Sequence, residues 1–143
     1  MTPVSIFSLD PLPRKGSPVK SLLKINGVPT DLSIRGCRLL RQFETTDGFL
    51  LVTDFDCPYE ESTCFTLINH AVDEILSWKE VVSPYVSYWL KDITWANDRQ
   101  FTAYFEGCDD AWKFTIRPWG VPVVWPRLRM KRWSAIRVPL GVD

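Results

Sequence analysis

The 143-residue sequence has no long apolar run, which excludes one class of protein at the outset. No segment approaches the ~20 apolar residues that a membrane-spanning helix needs. The first twenty residues contain four prolines and Asp10, so they also lack the apolar centre of a secretion signal. The sequence therefore predicts a cytoplasmic protein.

Motifs of catalysis and nucleotide binding are also missing. There is no GxSxG nucleophile turn, and neither a GxGxxG nor a GxxxxGK[ST] phosphate loop. The single histidine, His70, lies six residues from Cys64, but nothing in that spacing brings a thiol and its base into contact. We therefore expect no enzymatic activity and no cofactor.

The four cysteines are scattered, and no two have CxxC spacing. A closed zinc site would have to gather nearly all of them together with His70. Free, mostly buried thiols are expected instead. Four carboxylates between residues 54 and 61 are a weak alternative site for a hard cation, because the spacing and the glycine of a calcium loop are absent. No metal is predicted.

Aromatic residues are abundant, with seven Trp, eight Phe and four Tyr. Such side chains favour strands. The segments 100–106 and 111–117 alternate apolar and polar residues on either side of a Gly-Cys-Asp-Asp turn, which predicts a hairpin with one apolar face. Further strands are predicted at 21–26, 38–45, 49–55 and 88–95, and Asp47-Gly48 marks a second hairpin turn.

Residues 63–82 fit two descriptions. Their apolar residues follow one helical stripe over about 68–82, and they also fit a hairpin of 64–68 and 75–82. We favour the hairpin because its neighbours are hairpins. The fold predicted is mainly β, an antiparallel up-and-down meander of seven or eight strands closing into a barrel or sandwich.

Composition divides the chain into three regions. A Pro-rich N-terminal arm is predicted over 1–19, a β domain over 20–119, and a basic, Pro- and Trp-rich extension over 120–143 that packs on the domain. Pro122 and Pro126 exclude a central strand near the start of that extension. The segment 47–61 resembles stretches of small bacterial proteins, a likeness that names no family and implies no activity.

Charge is segregated along a chain whose formal net charge is zero. Residues 1–43 hold seven basic and two acidic side chains, 44–110 hold three and fourteen, and 111–143 hold seven and one. The basic termini either fold back over the acidic middle or leave it exposed to a partner.

The first functional expectation is a protein-binding module of immunity-like or adaptor-like type. Its contact surface would be acidic, and clustered charge would speed encounter with a basic partner. The residues predicted for this surface are Asp54, Asp56, Glu60, Glu61, Asp109 and Asp110.

Two alternatives remain open. A barrel could enclose an apolar ligand in a cavity lined by Trp89, Trp95, Phe101, Phe105, Trp112 and Phe114. The basic tail could instead contact nucleic acid, with Trp125 and Trp133 stacking on bases beside Arg127, Arg129, Lys131, Arg132 and Arg137. Nucleic acid is the less expected partner, because the isoelectric point of the whole chain is about 6.6.

Overall fold

A computed structural model describes residues 1–13, 19–57 and 60–134. Across these ranges the chain forms twelve β-strands and no helix. The strands are β1 (Thr2–Pro3), β2 (Phe7–Pro11), β3 (Lys20–Ile25), β4 (Val28–Arg35), β5 (Arg38–Thr45), β6 (Gly48–Asp54), β7 (Thr63–Ile68), β8 (Ile75–Val81), β9 (Leu90–Asn97), β10 (Gln100–Phe105), β11 (Ala111–Ile116) and β12 (Leu128–Trp133).

The strands pair into three antiparallel sheets. A five-stranded sheet has the order β1-β5-β6-β7-β8, a four-stranded sheet the order β12-β11-β10-β9, and a three-stranded sheet the order β2-β3-β4. The mainly β prediction is confirmed. No closed barrel is found in the described part of the chain, so the predicted closure is wrong in that form.

The five-stranded sheet is the middle layer, because both of its faces carry apolar clusters. Leu50 and Val52 of β6 pack towards the four-stranded sheet, against side chains such as Phe114. Phe49 and Leu51 alternate with them and pack towards the three-stranded sheet. Coverage on both faces explains why β6 and β7 are buried along their whole length.

The helix considered over 68–82 is absent, and the favoured hairpin is confirmed. Strands β7 and β8 pair antiparallel, with Phe65 opposite Lys79. The intervening turn is held by Asn69, whose side-chain oxygen accepts hydrogen bonds from the backbone N–H groups of Asp73 and Glu74. Helical spacing arose here because two strands and a polar turn happened to repeat apolar residues at short intervals.

Both regions assigned to the ends of the chain contribute strands. Strands β1 and β2 come from residues predicted as an arm, and β12 comes from the predicted extension. Pro3, Pro11 and Pro29 all lie in edge strands of their sheets, where a missing N–H breaks no central ladder. Strand β12 begins only after Pro126 and forms the edge next to β11.

Candidate functional site

Asp54, predicted to face a partner, is buried at the end of β6. Its carboxylate receives two parallel hydrogen bonds from Arg38, at 2.8 Å from Nε and 2.7 Å from Nη2. The same guanidinium lies 3.2 Å from the exposed carboxylate of Asp56. A bidentate pair of this kind satisfies both oxygens of Asp54, so this side chain is not part of an exposed surface.

Glu61 is fully buried and organises the loop that follows β6. Its two carboxylate oxygens accept hydrogen bonds from the backbone N–H groups of Phe55, Cys57 and Ser62, at 2.7–3.1 Å. Burial raises the pKa of this carboxyl above its usual range, and the three backbone donors oppose that shift without cancelling it. The side chain acts as a clamp inside the protein, and its prediction as a surface residue is wrong.

Asp110 is also buried, and Arg132 of β12 donates a hydrogen bond from Nε to its carboxylate at 2.6 Å. The remaining predicted acidic residues, Asp56, Glu60 and Asp109, are exposed. Half of the predicted acidic surface therefore lies inside the molecule, and the exposed half is spread over two loops.

The ion pairs show how the segregated charge is resolved. Basic side chains from the two ends of the sequence meet carboxylates of the acidic middle: Arg38 with Asp54, Arg35 with Glu80, Arg127 with Asp47 and Arg132 with Asp110. These arginines neutralise four of the fourteen acidic side chains of the middle segment, so the charge pattern is resolved in part as the first of the two alternatives expected. What they leave uncovered is a set of basic side chains on β11 and β12.

The aromatic residues predicted for a ligand cavity fill the core between the four- and five-stranded sheets. Phe101 and Phe114 stack with ring centroids 4.6 Å apart, and Phe65 packs 4.3 Å from Phe114. Phe105 and Trp112 meet edge to face at 5.2 Å. Trp95 is partly buried against Phe101, and Trp89 lies at the margin near Arg38. Because these rings touch one another, they do not enclose space for a ligand.

The residues predicted for the basic tail separate into two groups. Arg127 and Arg132 are engaged by carboxylates, whereas Arg129 and Lys131 project from the outer, solvent-facing side of β12. Arg137 lies outside the described residues. The outward pair alternates with Leu128 and Met130, which pack into the core.

The outer side of β11 continues this surface. Lys113 lies directly opposite Lys131 in the β11–β12 ladder, and Thr115 lies opposite Arg129. Arg117 follows at the end of β11 and hydrogen-bonds the carbonyl of Pro126 at 2.9 Å. Within the described ranges, no carboxylate forms an ion pair with Lys113, Arg117, Arg129 or Lys131. We call this set, with Tyr104 and Trp133, the basic face.

Exposed aromatic rings accompany these cations. Trp133 is 47 % exposed, and the Lys113 ammonium lies 4.7 Å from its ring centroid. Trp125 is equally exposed and has the Arg117 guanidinium 3.6 Å from its ring. Tyr104 of β10 is 41 % exposed on the same side of the sheet. Cations and flat rings are therefore interleaved on one surface.

A cleft opens beside the basic face, where the edges of β8 and β12 meet. Its volume is about 420 Å³. Three cationic side chains line it, Lys79, Arg117 and Arg129, together with the apolar side chains of Val124, Trp125, Pro126 and Met130. No acidic residue is among them.

All four cysteines are free thiols. Cys64 is buried with its sulfur 3.7 Å from the Thr66 hydroxyl, and burial raises its pKa to about 11. His70 Nε2 lies 2.9 Å from the Thr45 carbonyl instead, so the structure gives no thiol–imidazole pair. The described residues contain no group of three or more side chains suited to a metal ion, and no helix long and apolar enough to cross a membrane.

Sequence reasoning identified Arg129 and Lys131 but not Lys113, Arg117 or Lys79. For Lys113 and Arg117 the signal was available, since both occupy outward positions of the alternating pattern in 111–117. Lys79 carries no local signal, because its position depends on two distant strand edges meeting.

Comparisons with protein-family models, with curated proteins and with solved structures found no match.

Proposed function

We propose that the protein is a non-enzymatic binding module that contacts single-stranded nucleic acid through the basic face. The observation that carries this proposal is the pairing of Lys113 with Lys131. Like charges directly opposite each other destabilise a β-ladder, and no described carboxylate offsets this pair. A phosphate backbone lying across the face supplies the missing negative charge.

The aromatic rings favour a single strand over a duplex. Bases of a single strand are unstacked and present their flat faces, whereas those of a duplex are stacked on one another. Trp133 and Tyr104 lie at outward positions of strands β12 and β10, in line with Ala111 between them. An exposed ring on a strand surface binds bases without regard to their sequence, because every base has a π-face.

The burial of Asp54, Glu61 and Asp110 supports this choice over the acidic surface. Of the six residues predicted for the acidic surface, only Asp56, Glu60 and Asp109 are exposed, and the Arg38 guanidinium lies 3.2 Å from the Asp56 carboxylate. The basic face offers four cations, three of them on two adjacent strands and Arg117 directly after β11. Its charge remains available because its cations lack carboxylate partners.

Fluorescence anisotropy with a labelled oligothymidylate tests the proposal. Wild type should bind, and the logarithm of the association constant should fall linearly with the logarithm of the salt concentration. The double variant Lys113→Gln/Lys131→Gln should bind more weakly and lose about 1.4 from the magnitude of that slope, at about 0.7 per lost phosphate contact on a single strand.

The matched control is Arg41→Gln/Lys91→Gln, which also removes two exposed positive charges, on strands β5 and β9. It should change affinity and slope little. Equal losses in the two double variants would indicate only non-specific attraction, and no binding by wild type at low salt would overturn the proposal.

The stacking contribution is tested separately with Trp133→Leu. Replacing a stacking ring costs about 1–3 kcal/mol of binding free energy, and it should leave the salt slope unchanged because no charge is removed. A changed slope with unchanged affinity would contradict the assigned role of the ring.

A further inference from the structure

The cleft at the β8–β12 edge adjoins the basic face and shares Arg117 and Arg129 with it, and Lys79 adds a third cation. We infer that it binds the terminal phosphate monoester of a strand lying on that face. The inference rests on the proposed function and names the part of the ligand that the cleft selects.

The first argument is that three cations line one cleft and have no carboxylate partner among the described residues. Lys79 comes from β8, Arg129 from β12 and Arg117 from the segment after β11. Lys79 forms no ion pair with a carboxylate of the described residues, and neither do the two arginines. Three cationic side chains on the wall of one cleft favour an anion as its ligand.

The second argument is that the position of Arg117 is fixed in advance. Its guanidinium is held by the Pro126 carbonyl at 2.9 Å and by the Trp125 ring at 3.6 Å. Its own backbone carbonyl accepts a hydrogen bond from Arg127 Nε at 3.2 Å. A donor that is already ordered loses little conformational entropy when its ligand arrives.

The third argument is the charge of the ligand. An internal phosphodiester carries a single negative charge, whereas a phosphate monoester carries about −1.5 to −2 near neutral pH. A recess lined by three cations is therefore better matched to a strand end than to an internal linkage. The cleft volume of about 420 Å³ falls within the range of small-ligand sites, and Trp125 and Met130 provide apolar wall for the terminal nucleoside.

Competition between oligothymidylates of equal length tests the inference. Unlabelled strands with a 5′-phosphate, a 3′-phosphate or neither displace a labelled strand that has no terminal phosphate. At least one phosphorylated strand should compete about tenfold better than the unphosphorylated strand, as a strong charge-assisted contact allows. Equal competition by all three strands would overturn the inference while leaving the proposed function intact.

Lys79→Gln should reduce the preference for the phosphorylated over the unphosphorylated strand to about twofold or less. Arg129→Gln is a second variant that removes a different cation from the same cleft, and it should reduce the preference as well. Lys91→Gln, on the opposite edge strand of the four-stranded sheet, should keep the full preference. A preference that survives in both cleft variants, with thermal unfolding showing both to be folded, would overturn the inference.

If no strand binds at all, the proposed function fails, and the cleft is then tested with thymidine monophosphate by titration calorimetry. Binding to wild type but not to Lys79→Gln would support a phosphate site independent of nucleic-acid strands. Absence of binding to wild type would overturn the inference together with the proposed function.

Discussion

Gly48 is the residue whose backbone conformation most directly decides the β5–β6 turn. Its φ is 144°, and a Cβ built there would lie 2.1 Å from the carbonyl oxygen of Ile68. Asp-Gly at this point was readable from the sequence as a hairpin turn. The close approach of the Ile68 backbone was not readable, because it depends on the pairing of β6 with β7.

Gly48→Ala should therefore destabilise the protein by roughly 3–5 kcal/mol, from backbone strain and a clash with backbone atoms. Gly27→Ala is the control, because Gly27 also has a positive φ, at 80°, but has nothing within 4 Å of the added Cβ. Its cost should be about 1–2 kcal/mol. Urea unfolding compares the two variants, and equal costs would contradict the assigned clash.

Glu61 makes stability depend on pH in a defined direction. Burial raises its pKa in the folded protein above the ordinary value of 4.5. The folded state then holds the proton more tightly than the unfolded chain, so this group's contribution to stability is greatest below pH 4.5 and is lost as pH rises through the raised pKa.

Relative to Glu61→Gln, which cannot titrate, the wild-type protein should lose unfolding free energy as the pH rises through this window. Urea titrations at a series of pH values measure the difference. Glu60→Gln, at the exposed neighbouring position, should keep the wild-type dependence. A wild-type unfolding free energy that rises relative to that of Glu61→Gln as the pH increases would contradict the stated shift.

At the scale of elements, alternation predicted the strands that have one buried face. Strands β10 and β11 match the predicted hairpin within one residue at each end, and their apolar residues point inward. Strands β2 and β4 were missed because Pro11 and Pro29 made their segments look like loops. Strand β12 was missed beside Pro126, although Leu128 and Met130 alternate with Arg129 and Lys131 and could have revealed it.

The Lys113–Lys131 pair gives a prediction at the same scale. Lys131→Thr removes the cross-strand repulsion and introduces a residue that favours strands, so it should stabilise the protein by about 0.2–1 kcal/mol while weakening oligothymidylate binding. Arg129→Thr is the control, because Arg129 lies opposite Thr115 and not opposite another cation. A smaller gain for Lys131→Thr than for Arg129→Thr would contradict the repulsion.

At the scale of the whole molecule, the described residues form three sheets and no closed barrel, where the sequence predicted a barrel or sandwich. The continuous apolar run in β6 was a sign of a strand covered on both faces. Which segments pack on the two faces of β6 could not be predicted, because the strands that do so are distant in sequence. The burial of Asp54 and Asp110 could not be predicted for the same reason, because the arginines that neutralise them come from other strands.

Double coverage of β6 predicts that neighbouring positions are equally sensitive. Leu50 and Leu51 face opposite layers and are both fully buried, so each substitution to Ala should cost about 2–5 kcal/mol. Thr94→Ala on the exposed side of β9 should cost less than about 1 kcal/mol. Chemical denaturation gives all three values, and a small cost at Leu51 would contradict the third layer.

The location of the ligand is the central claim for the molecule, and backbone amide NMR shifts during titration with an oligothymidylate test it most directly. The largest changes should fall at Lys113, Thr115, Arg129 and Lys131 and at the indole N–H of Trp133. Changes centred on residues 54–57 and 60–61, or no changes at saturating strand, would contradict the account.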